Sequence, residues 1–264
     1  MAGANMAWTA ITREVSPSME ACELTHLPRR PIDIARAREQ HAAYCECLRE
    51  LGAKVITLPA EPDYPDAVFV EDPAVVLDEA VMMTRPGAPA RRGEAESLAR
   101  ELERHLPLRW MRAPATLDGG DVLRVGRTLF VGFSARTNAE GIRQLSAEAG
   151  RFGLRVQPVT LRECLHLKSG ASYVGDDTVL IHRPWVDAPA FAGLRLVDVP
   201  AGEEEAANVL ALGEAVLVAQ GFPRTAEAIE AAGRKIKVID NSELRKAEGA
   251  LTCCSLLLWD KMGL

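Results

Sequence analysis

The chain has 264 residues, of which 48% are hydrophobic and 26% are charged, and its formal net charge is −6 at pH 7. This composition is typical of a globular protein and excludes a disordered chain. The acidic balance argues against nucleic acid as a partner, because binding to phosphate needs an excess of basic residues. No apolar run approaches the roughly 18 residues of a membrane helix, and the first residues lack the basic and apolar segments of a secretory signal. We therefore expect one domain over residues 1–264, located in the cytoplasm, with no membrane partner.

The N-terminal part of the chain predicts a strand, a long helix and a second strand. Ala7–Arg13 is a β-like run, and Asp33–Leu51 places its apolar side chains on one helical face before Gly52 stops the helix. The second strand is predicted at Lys54–Leu58. These three elements lack the hairpin that begins the units described next.

A repeated pattern follows, with a polar group, an apolar run, a short turn and a second apolar run in each copy. The copies begin at Phe69, Leu117, Leu165 and Ala206 and read FVEDPAVVLDEAVMMTRPG, LDGGDVLRVGRTLFVGFSART, LHLKSGASYVGDDTVLIHRP and AANVLALGEAVLVAQGFPRT. Gly, Asp or Glu residues fill each turn, which predicts four β-hairpins. A repeat of this length indicates a modular fold in which each copy is one structural unit.

Most hairpins are followed by a helix and a short strand. The predicted helices are Glu94–Leu106, a helix that begins with the capping box of Thr137 and Glu140, and Ala226–Ala232 with Thr225 as its cap. The strands that follow them are predicted at Leu108–Met111, Leu154–Val159 and Lys235–Asp240. After the third copy, Trp185–Gly193 leaves room only for a short helix before a strand at Leu194–Val199. The unit is therefore ββαβ.

The two ends of the chain complete a fifth unit. The C-terminal segment GALTCCSLLLW predicts a first strand that lacks a partner, and the N-terminal elements supply the rest of the unit. Pairing of the terminal strands would close a ring and leave few exposed sheet edges. We predict a five-bladed α/β propeller of ββαβ repeats. A doubly wound parallel sheet is the alternative, and it is disfavoured because hairpins require antiparallel pairs.

The same position of each unit carries a residue that is able to do chemistry. Glu71, Asp118, His166, Asn208 and Cys253 follow one another at spacings of about 42–48 residues. In a closed ring, corresponding positions of all units face the axis. Carboxylates, an imidazole and a thiol at one locus are what nucleophilic catalysis requires, so we predict a site there.

The six cysteines give no sign of a structural metal site or of disulfides. None forms the paired C-x2-C spacing of a zinc knuckle, and a chain of this length needs no disulfide staples. Most of them are expected to be small buried side chains. The doublet Cys253–Cys254 is the exception that the site prediction singles out.

Six segments resemble the dimethylarginine dimethylaminohydrolase family of the amidinotransferase and arginine deiminase superfamily. They are DAVFVEDPAVV, TRPGAPARRGE, LDGGDVL, SARTNAEG, LHLKSG and ALTCCSLL, in order between about Leu24 and Leu258. The resemblance implies a five-bladed α/β propeller, the pentein fold, which agrees with the repeat. It also implies hydrolysis of Nω-methylated arginines to citrulline and methylamine or dimethylamine, without a cofactor and with a small molecule as the partner.

The resemblance assigns catalytic roles to three residues. Cys253 matches the nucleophile, which would form a covalent thiouronium intermediate, and Cys254 would point to the opposite face of a strand. His166 matches the proton donor to the leaving amine and the base for the hydrolytic water. Asp118 matches the acid that orients this histidine.

The resemblance also implies substrate contacts. Asp66 and Asp72 match a pair that holds the guanidinium, and Glu71 matches a further acid in contact with the substrate. Arg91 and Arg136 match the groups that bind the α-carboxylate, for which the guanidinium fork is suited.

Two further positions match backbone contacts. Leu24 matches a residue of a loop over the site, and Ala247 matches a carbonyl that receives the α-amino group, although Glu248 stands beside it where the family often has aspartate. No metal is required, but Cys253 could act as an inhibitory zinc ligand. Arginine deimination, amidino transfer and a metal- or amino-acid-binding propeller remain alternatives, and the sequence leaves both a monomer and a homodimer open.

Overall fold

A computed structural model describes residues 8–259 and contains five separate three-stranded sheets. The strands, in chain order, are β1 (Trp8–Arg13), β2 (Ala53–Leu58), β3 (Ala74–Val76), β4 (Val81–Met83), β5 (Leu108–Trp110), β6 (Val122–Val125), β7 (Thr128–Phe133), β8 (Arg155–Thr160), β9 (Ala171–Gly175), β10 (Thr178–Ile181), β11 (Arg195–Asp198), β12 (Leu210–Leu212), β13 (Ala215–Ala219), β14 (Lys235–Ile239) and β15 (Leu256–Trp259). The sheets are β15-β1-β2, β3-β4-β5, β6-β7-β8, β9-β10-β11 and β12-β13-β14.

Every sheet has the same internal topology. Its first strand is antiparallel to the central strand, and the central strand is parallel to the third. A parallel pair needs a crossover, and a helix supplies it in four units. The helices are α1 (Ile34–Glu50), α2 (Glu94–Leu102), α3 (Ala139–Gly150), α4 (Leu167–Gly170), α5 (Pro223–Ala231) and α6 (Ser242–Arg245). In the unit of β9 to β11 the short 3-10 helix Ala188–Phe191 crosses instead, as the sequence predicted.

Pairing of the terminal strands closes the ring. Strand β15 runs antiparallel to β1, with Ile11 opposite Leu256 and Trp8 opposite Trp259. First strands of neighbouring units contact one another, as β6 does with β9 and β9 with β12, so they surround the axis. The predicted five-bladed α/β propeller is therefore confirmed, and the doubly wound alternative is wrong because no continuous parallel sheet exists among residues 8–259.

Each crossover helix packs an apolar face on its sheet. Leu98 and Leu102 of α2 are almost fully buried and lie in one cluster with Val81 and Met83 of β4. Burying a side chain of this kind contributes about 1.5–3 kcal/mol. Among residues 8–259, no helix is both long and apolar enough to cross a membrane.

The predicted helix caps are wrong in two units. The side chain of Asn138 caps α3 by accepting from Gly141 N at 2.8 Å, whereas the predicted cap Thr137 donates its hydroxyl to Asp121. Helix α5 begins at Pro223, so that Thr225 lies inside it and bonds to Glu203. In both cases a buried carboxylate takes the hydroxyl that the sequence assigned to a cap.

The segment around the cysteine doublet also differs from its prediction. Thr252–Cys254 forms a 3-10 turn, and the strand begins only at Leu256. Consequently the two thiols do not alternate across a strand. The turn instead places Cys253 immediately before a first strand, at the end of the ring where the site residues of the other units lie.

We predict that Asn138→Ala lowers the free energy of unfolding by about 1–2 kcal/mol, because the helix loses its cap and the amide of Thr116 loses its acceptor. Glu140→Ala should cost less than Asn138→Ala, since the carboxylate of Glu140 bonds to Arg143 and Gln144 of the same helix near its surface and does not cap the helix. Urea unfolding measures both. An equal loss in the two variants would favour the capping box instead.

Candidate active site

The loops that enter the five first strands meet at one end of the ring. Glu71 precedes β3, Asp118 precedes β6, His166 precedes β9, Asn208 precedes β12 and Cys253 precedes β15. The structure thus brings together the five positions that the repeat predicted. A small cavity of about 20 Å³ lies there and is lined by Glu23, Asp66, Phe69, Asp72, Arg91, Arg136, Leu165, His166, Ala247, Glu248, Gly249 and Cys253. Its volume is that of about one water molecule.

His166 is bound to a carboxylate that is itself held in place. Its Nε2 lies 3.0 Å from Asp118 Oδ2, while Asp118 Oδ1 accepts from Gly87 N at 2.8 Å. Burial disfavours the imidazolium, but Asp72, Asp118 and Asp121 outweigh burial and raise the pKa of His166 to about 9. The histidine is therefore protonated at neutral pH and is equipped to donate a proton.

Two glycines allow this close packing of catalytic groups. A Cβ at Gly120 would lie 2.6 Å from His166 Nδ1 and 2.9 Å from Asp72 Oδ1. A Cβ at Gly87 would lie 2.5 Å from backbone atoms of Arg136. Only glycine permits these approaches, so the G-G-D turn and the R-P-G turn fix the distances between the site residues.

Cys253 is buried, and its carbonyl accepts from Glu71 N at 3.2 Å. Burial raises the pKa of its thiol, and the carboxylates of Glu71 and Asp72 raise it further. Cys254 is also buried, but it is not among the residues that line the cavity, and its thiol contacts the carbonyl of Ala250. Of the two thiols, only Cys253 faces the cavity.

Asp72 is held as a carboxylate. Arg91 Nη1 lies 2.6 Å from Asp72 Oδ2, and Gly120 N donates to Oδ1 at 3.0 Å. Although burial opposes ionisation, Arg91 and His166 lower the pKa of Asp72 to about 2. Asp66, in contrast, has its pKa raised by burial in spite of Arg91. The two carboxylates predicted to hold a guanidinium both line the cavity.

Arg91 lines the cavity, but it uses its guanidinium fork on the protein. Its Nε and Nη2 donate to both oxygens of Glu94 at 3.0 and 2.8 Å. Burial raises the pKa of Glu94 to about 7, even though Arg91 lowers it. The Arg91–Glu94 pair was not predicted from the sequence, although a spacing of three residues is a usual one for such a pair. The geometry favours a role for Arg91 in holding Asp72 in place. Its predicted contact with a substrate carboxylate stays a prediction.

Glu71 is also engaged by the protein. One oxygen pairs with Lys168 Nζ, and the other accepts from Thr252 Oγ1 at 2.9 Å. Asn208 completes this network, since its amide donates to Thr252 Oγ1 and its oxygen accepts from Thr252 N. Glu71 is not among the residues lining the cavity. Its geometry therefore favours a role in holding the Cys253 turn, and the predicted contact with substrate stays a prediction.

Asp121, three residues after Asp118, is a second buried acid, and the sequence placed it at the centre of the ring without giving it a role. Its oxygens accept from Leu167 N at 2.9 Å and from the hydroxyls of Ser134 and Thr137 at 2.6 Å each. Burial raises its pKa to about 6 against these donors and the charge of His166. Asp121 thereby fixes the loop that carries the histidine.

Arg136 lies at the rim of the cavity. Its Nη2 donates to Thr25 Oγ1 at 2.9 Å, and among residues 8–259 its side chain takes no other hydrogen-bond partner. Leu24 neighbours Thr25 in the loop above the site and packs against the core cluster that contains Ala247 and Phe69. Arg136 is therefore the better placed of the two predicted carboxylate-binding arginines.

One group of side chains has the donor atoms of a metal site. Ligand atoms of Asp72, Asp118 and His166 lie within 4.8 Å of one another. Each is already bonded within the chain, Asp118 to His166 and Asp72 to Arg91. The charges of this group are therefore balanced by the protein's own cations.

A five-bladed α/β propeller with a thiol, a carboxylate-bound imidazole and further carboxylates at its centre has the arrangement of the guanidine-modifying superfamily, and the fold and the pocket place the chain in that class. A family model described as eukaryotic N,N dimethylarginine dimethylhydrolase matches residues 26–185. The N(G),N(G)-dimethylarginine dimethylaminohydrolase of Streptomyces coelicolor is 39% identical over 94% of this chain and 96% of its own, and that of Pseudomonas aeruginosa is 38% identical over 85% and 89%.

A solved structure gives the same result. A cysteine-to-serine variant of the Pseudomonas aeruginosa enzyme in complex with citrulline superposes with a TM-score of 0.91 at 35% identity, over 96% of this chain and 100% of that chain. The chain belongs to the dimethylarginine dimethylaminohydrolase family, as the sequence segments predicted.

We predict that Asp118→Asn lowers the pKa of His166 from about 9, because the ring loses the charge and the hydrogen bond that favour its protonated form. Titration of the imidazole by NMR in the ligand-free protein measures this change. Because the folded-state pKa is raised above 6.5, the associated stability is present below that pH and is lost as the pH rises through about 9. Asp63→Asn, at an exposed position, is the control and should leave the pKa unchanged.

Proposed function

We propose that this protein hydrolyses Nω-methylated arginines to citrulline and methylamine or dimethylamine, with residues 1–264 acting as one catalytic domain. The observation that carries the proposal is the cavity in which the Cys253 thiol, the protonated His166 and the carboxylates of Asp66 and Asp72 meet. A planar, cationic guanidinium needs carboxylates to hold it, a strong nucleophile to attack its carbon and an acid for the departing amine.

The substrate has one orientation that satisfies the charges of the pocket. Its guanidinium lies against Asp66 and Asp72, and its α-carboxylate meets Arg136 at the rim. The α-amino group is received by the carbonyl of Ala247. This orientation leaves the guanidinium carbon facing Cys253.

Binding of the cation also activates the nucleophile. In the free protein, burial and the charges of Glu71 and Asp72 raise the pKa of the Cys253 thiol. A bound guanidinium offsets these negative charges, so that the thiol loses its proton to solvent and the thiolate attacks the guanidinium carbon. The nucleophile is thus generated only when substrate is present.

The proton of His166 completes the first half of the reaction. The imidazolium protonates the amine nitrogen as its bond to carbon breaks, which leaves a thiouronium on Cys253 and a neutral imidazole. The imidazole then takes a proton from water, which restores the imidazolium, and the resulting hydroxide adds to the same carbon. The carbon–sulfur bond breaks as the new hydroxyl group loses its proton to solvent, which gives citrulline and the thiolate. Asp118 keeps the ring oriented in both steps.

The proposal includes no cofactor, and the partner is a small molecule rather than nucleic acid or a membrane. The proton transfers and the nucleophile all come from side chains of the chain itself. Dialysis against a chelator should leave the activity unchanged or raise it, since zinc at Cys253 would inhibit. Loss of activity that returns with added metal would contradict this part of the proposal.

A colorimetric citrulline assay on asymmetric dimethylarginine, monomethylarginine and arginine tests the proposal. The methylated substrates should give the higher kcat/KM. Arginine as the best substrate would favour a deiminase, and citrulline-free transfer to an added amine would favour an amidinotransferase. Binding of the same compounds without turnover would favour an amino-acid-binding protein.

We predict that Cys253→Ser abolishes citrulline formation, whereas Cys254→Ser keeps most of it. A serine alkoxide is far harder to generate than a thiolate, and only the thiol of Cys253 lines the cavity. The two variants are matched, because both thiols are buried and differ by one position. Equal loss of activity in the two variants would contradict the assignment of Cys253 as the attacking thiol.

We predict that Arg136→Ala raises KM for methylarginine by roughly ten- to a hundredfold, since a charge-assisted pair contributes about 1.5–3 kcal/mol. A simple alkyl methylguanidine lacks the α-carboxylate, and its KM should change much less. This comparison also controls for the lost contact with Thr25, which would affect both compounds. Equal losses for the two compounds would return Arg136 to a structural role.

A further inference from the structure

A single carboxylate binds three consecutive backbone amides of the loop above the cavity. Residues 22–33, here called the cover loop, contain neither helix nor strand and join the first 3-10 turn to α1. Glu248 Oε2 accepts from Thr25 N at 2.9 Å, and its Oε1 accepts from His26 N and Leu27 N at 2.5 and 2.6 Å. Three consecutive amides converging on one anion form a strong, directional attachment.

Glu248 occupies a backbone position that usually belongs to glycine. It follows α6 with a φ of 57°, and the bonds Glu248 N to Arg245 O and Gly249 N to Leu244 O have the pattern of a helix end that prefers glycine there. A glutamate in this conformation is strained. This backbone geometry directs the Glu248 carboxylate at the cover loop, and the hydrogen bonds that the carboxylate accepts there offset the strain.

The cover loop also touches the groups that would bind the substrate. Glu23 N donates to Asp66 Oδ2 at 3.0 Å, and Thr25 accepts from Arg136. The cavity beneath has a volume of only about 20 Å³, so its walls must move apart to admit an arginine derivative, and the cover loop, which supplies Glu23, is a wall without helix or strand. The cover loop therefore contacts Asp66 and Arg136, which would also contact the substrate. Moving residues 25–27 away from the cavity must break their three hydrogen bonds to Glu248.

We propose that Glu248 is a positioning residue whose carboxylate latches the cover loop closed over the bound substrate. The proposal rests on the proposed function for its kinetic part, but the latch itself is a property of the free protein. Glutamine at this position keeps the size of the side chain and leaves one acceptor oxygen, while its amide group offers donors that repel the N–H groups. The loop then opens more often, and captured substrate escapes more easily.

Hydrogen exchange on the ligand-free protein tests the latch directly. In Glu248→Gln, the amides of Thr25, His26 and Leu27 should exchange about tenfold faster or more than in the wild type, while the amides of β13 keep their rates. Glu248→Asp retains a carboxylate, so the same three amides should exchange more slowly in this variant than in the glutamine variant. Glu20→Gln is the matched control, because this exposed acid lies beside the cover loop and its side chain takes no hydrogen-bond partner among residues 8–259. Its exchange rates should be those of the wild type.

Steady-state kinetics on asymmetric dimethylarginine test the consequence. We expect Glu248→Gln to raise KM about tenfold and to change kcat less than about threefold, because the latch acts on capture rather than on the attacking or departing groups. Unchanged exchange at the three amides overturns the latch whatever the kinetics show. Faster exchange with an unchanged KM overturns its role in substrate capture. If the wild type does not turn over methylarginine at all, the proposed function fails while the exchange result still decides the latch.

Discussion

Charge taken out of water at the centre of the ring needs a partner of opposite charge or a set of donors, and several features of the site follow from this requirement. Asp118 pairs with His166, and Glu71 pairs with Lys168, so that each pair joins loops of two different repeat units. Removing one member would leave the other buried and unpaired. Both pairs therefore hold the units in one arrangement, and Asp118, together with Asp72 and Asp121, also raises the pKa of His166.

The architecture could be predicted from the sequence because the repeat gives both the length of each unit and the position of the polar residues within it. Polar residues that precede each first strand must all reach the same end of a closed ring, and Asp118, His166 and Cys253 do so. The antiparallel pairing of β15 with β1 could be predicted in the same way. The C-terminal segment has a first strand without a partner, and the N-terminal segment has the remaining elements of a unit without a first strand. Position within the unit, rather than any single motif, located the site.

What the sequence left open is the partner that each polar group takes. Thr137 read as a helix cap, yet its hydroxyl bonds to Asp121, because a buried carboxylate is costlier to leave unsatisfied than an exposed helix end. Arg91 read as a substrate ligand, yet Glu94 takes its fork. Such choices depend on distances between units, which spacing along the chain does not encode.

The same desolvation that makes the site reactive also makes it hard to enter. The surrounding acids keep the imidazole of His166 protonated against the effect of burial, whereas burial and the acids together keep the Cys253 thiol protonated until a cation arrives. Admitted water would screen the charges of these acids. A site of this kind must be covered during the reaction and uncovered between turnovers. At residues 25–27 of the cover loop, hydrogen bonds to one carboxylate meet both needs, because the three bonds hold this stretch firmly and are lost together once it shifts away from Glu248. Thr25, His26 and Leu27 are exposed, so opening this part of the loop uncovers little apolar surface, whereas a stretch held by buried apolar side chains would expose that surface to water at every opening.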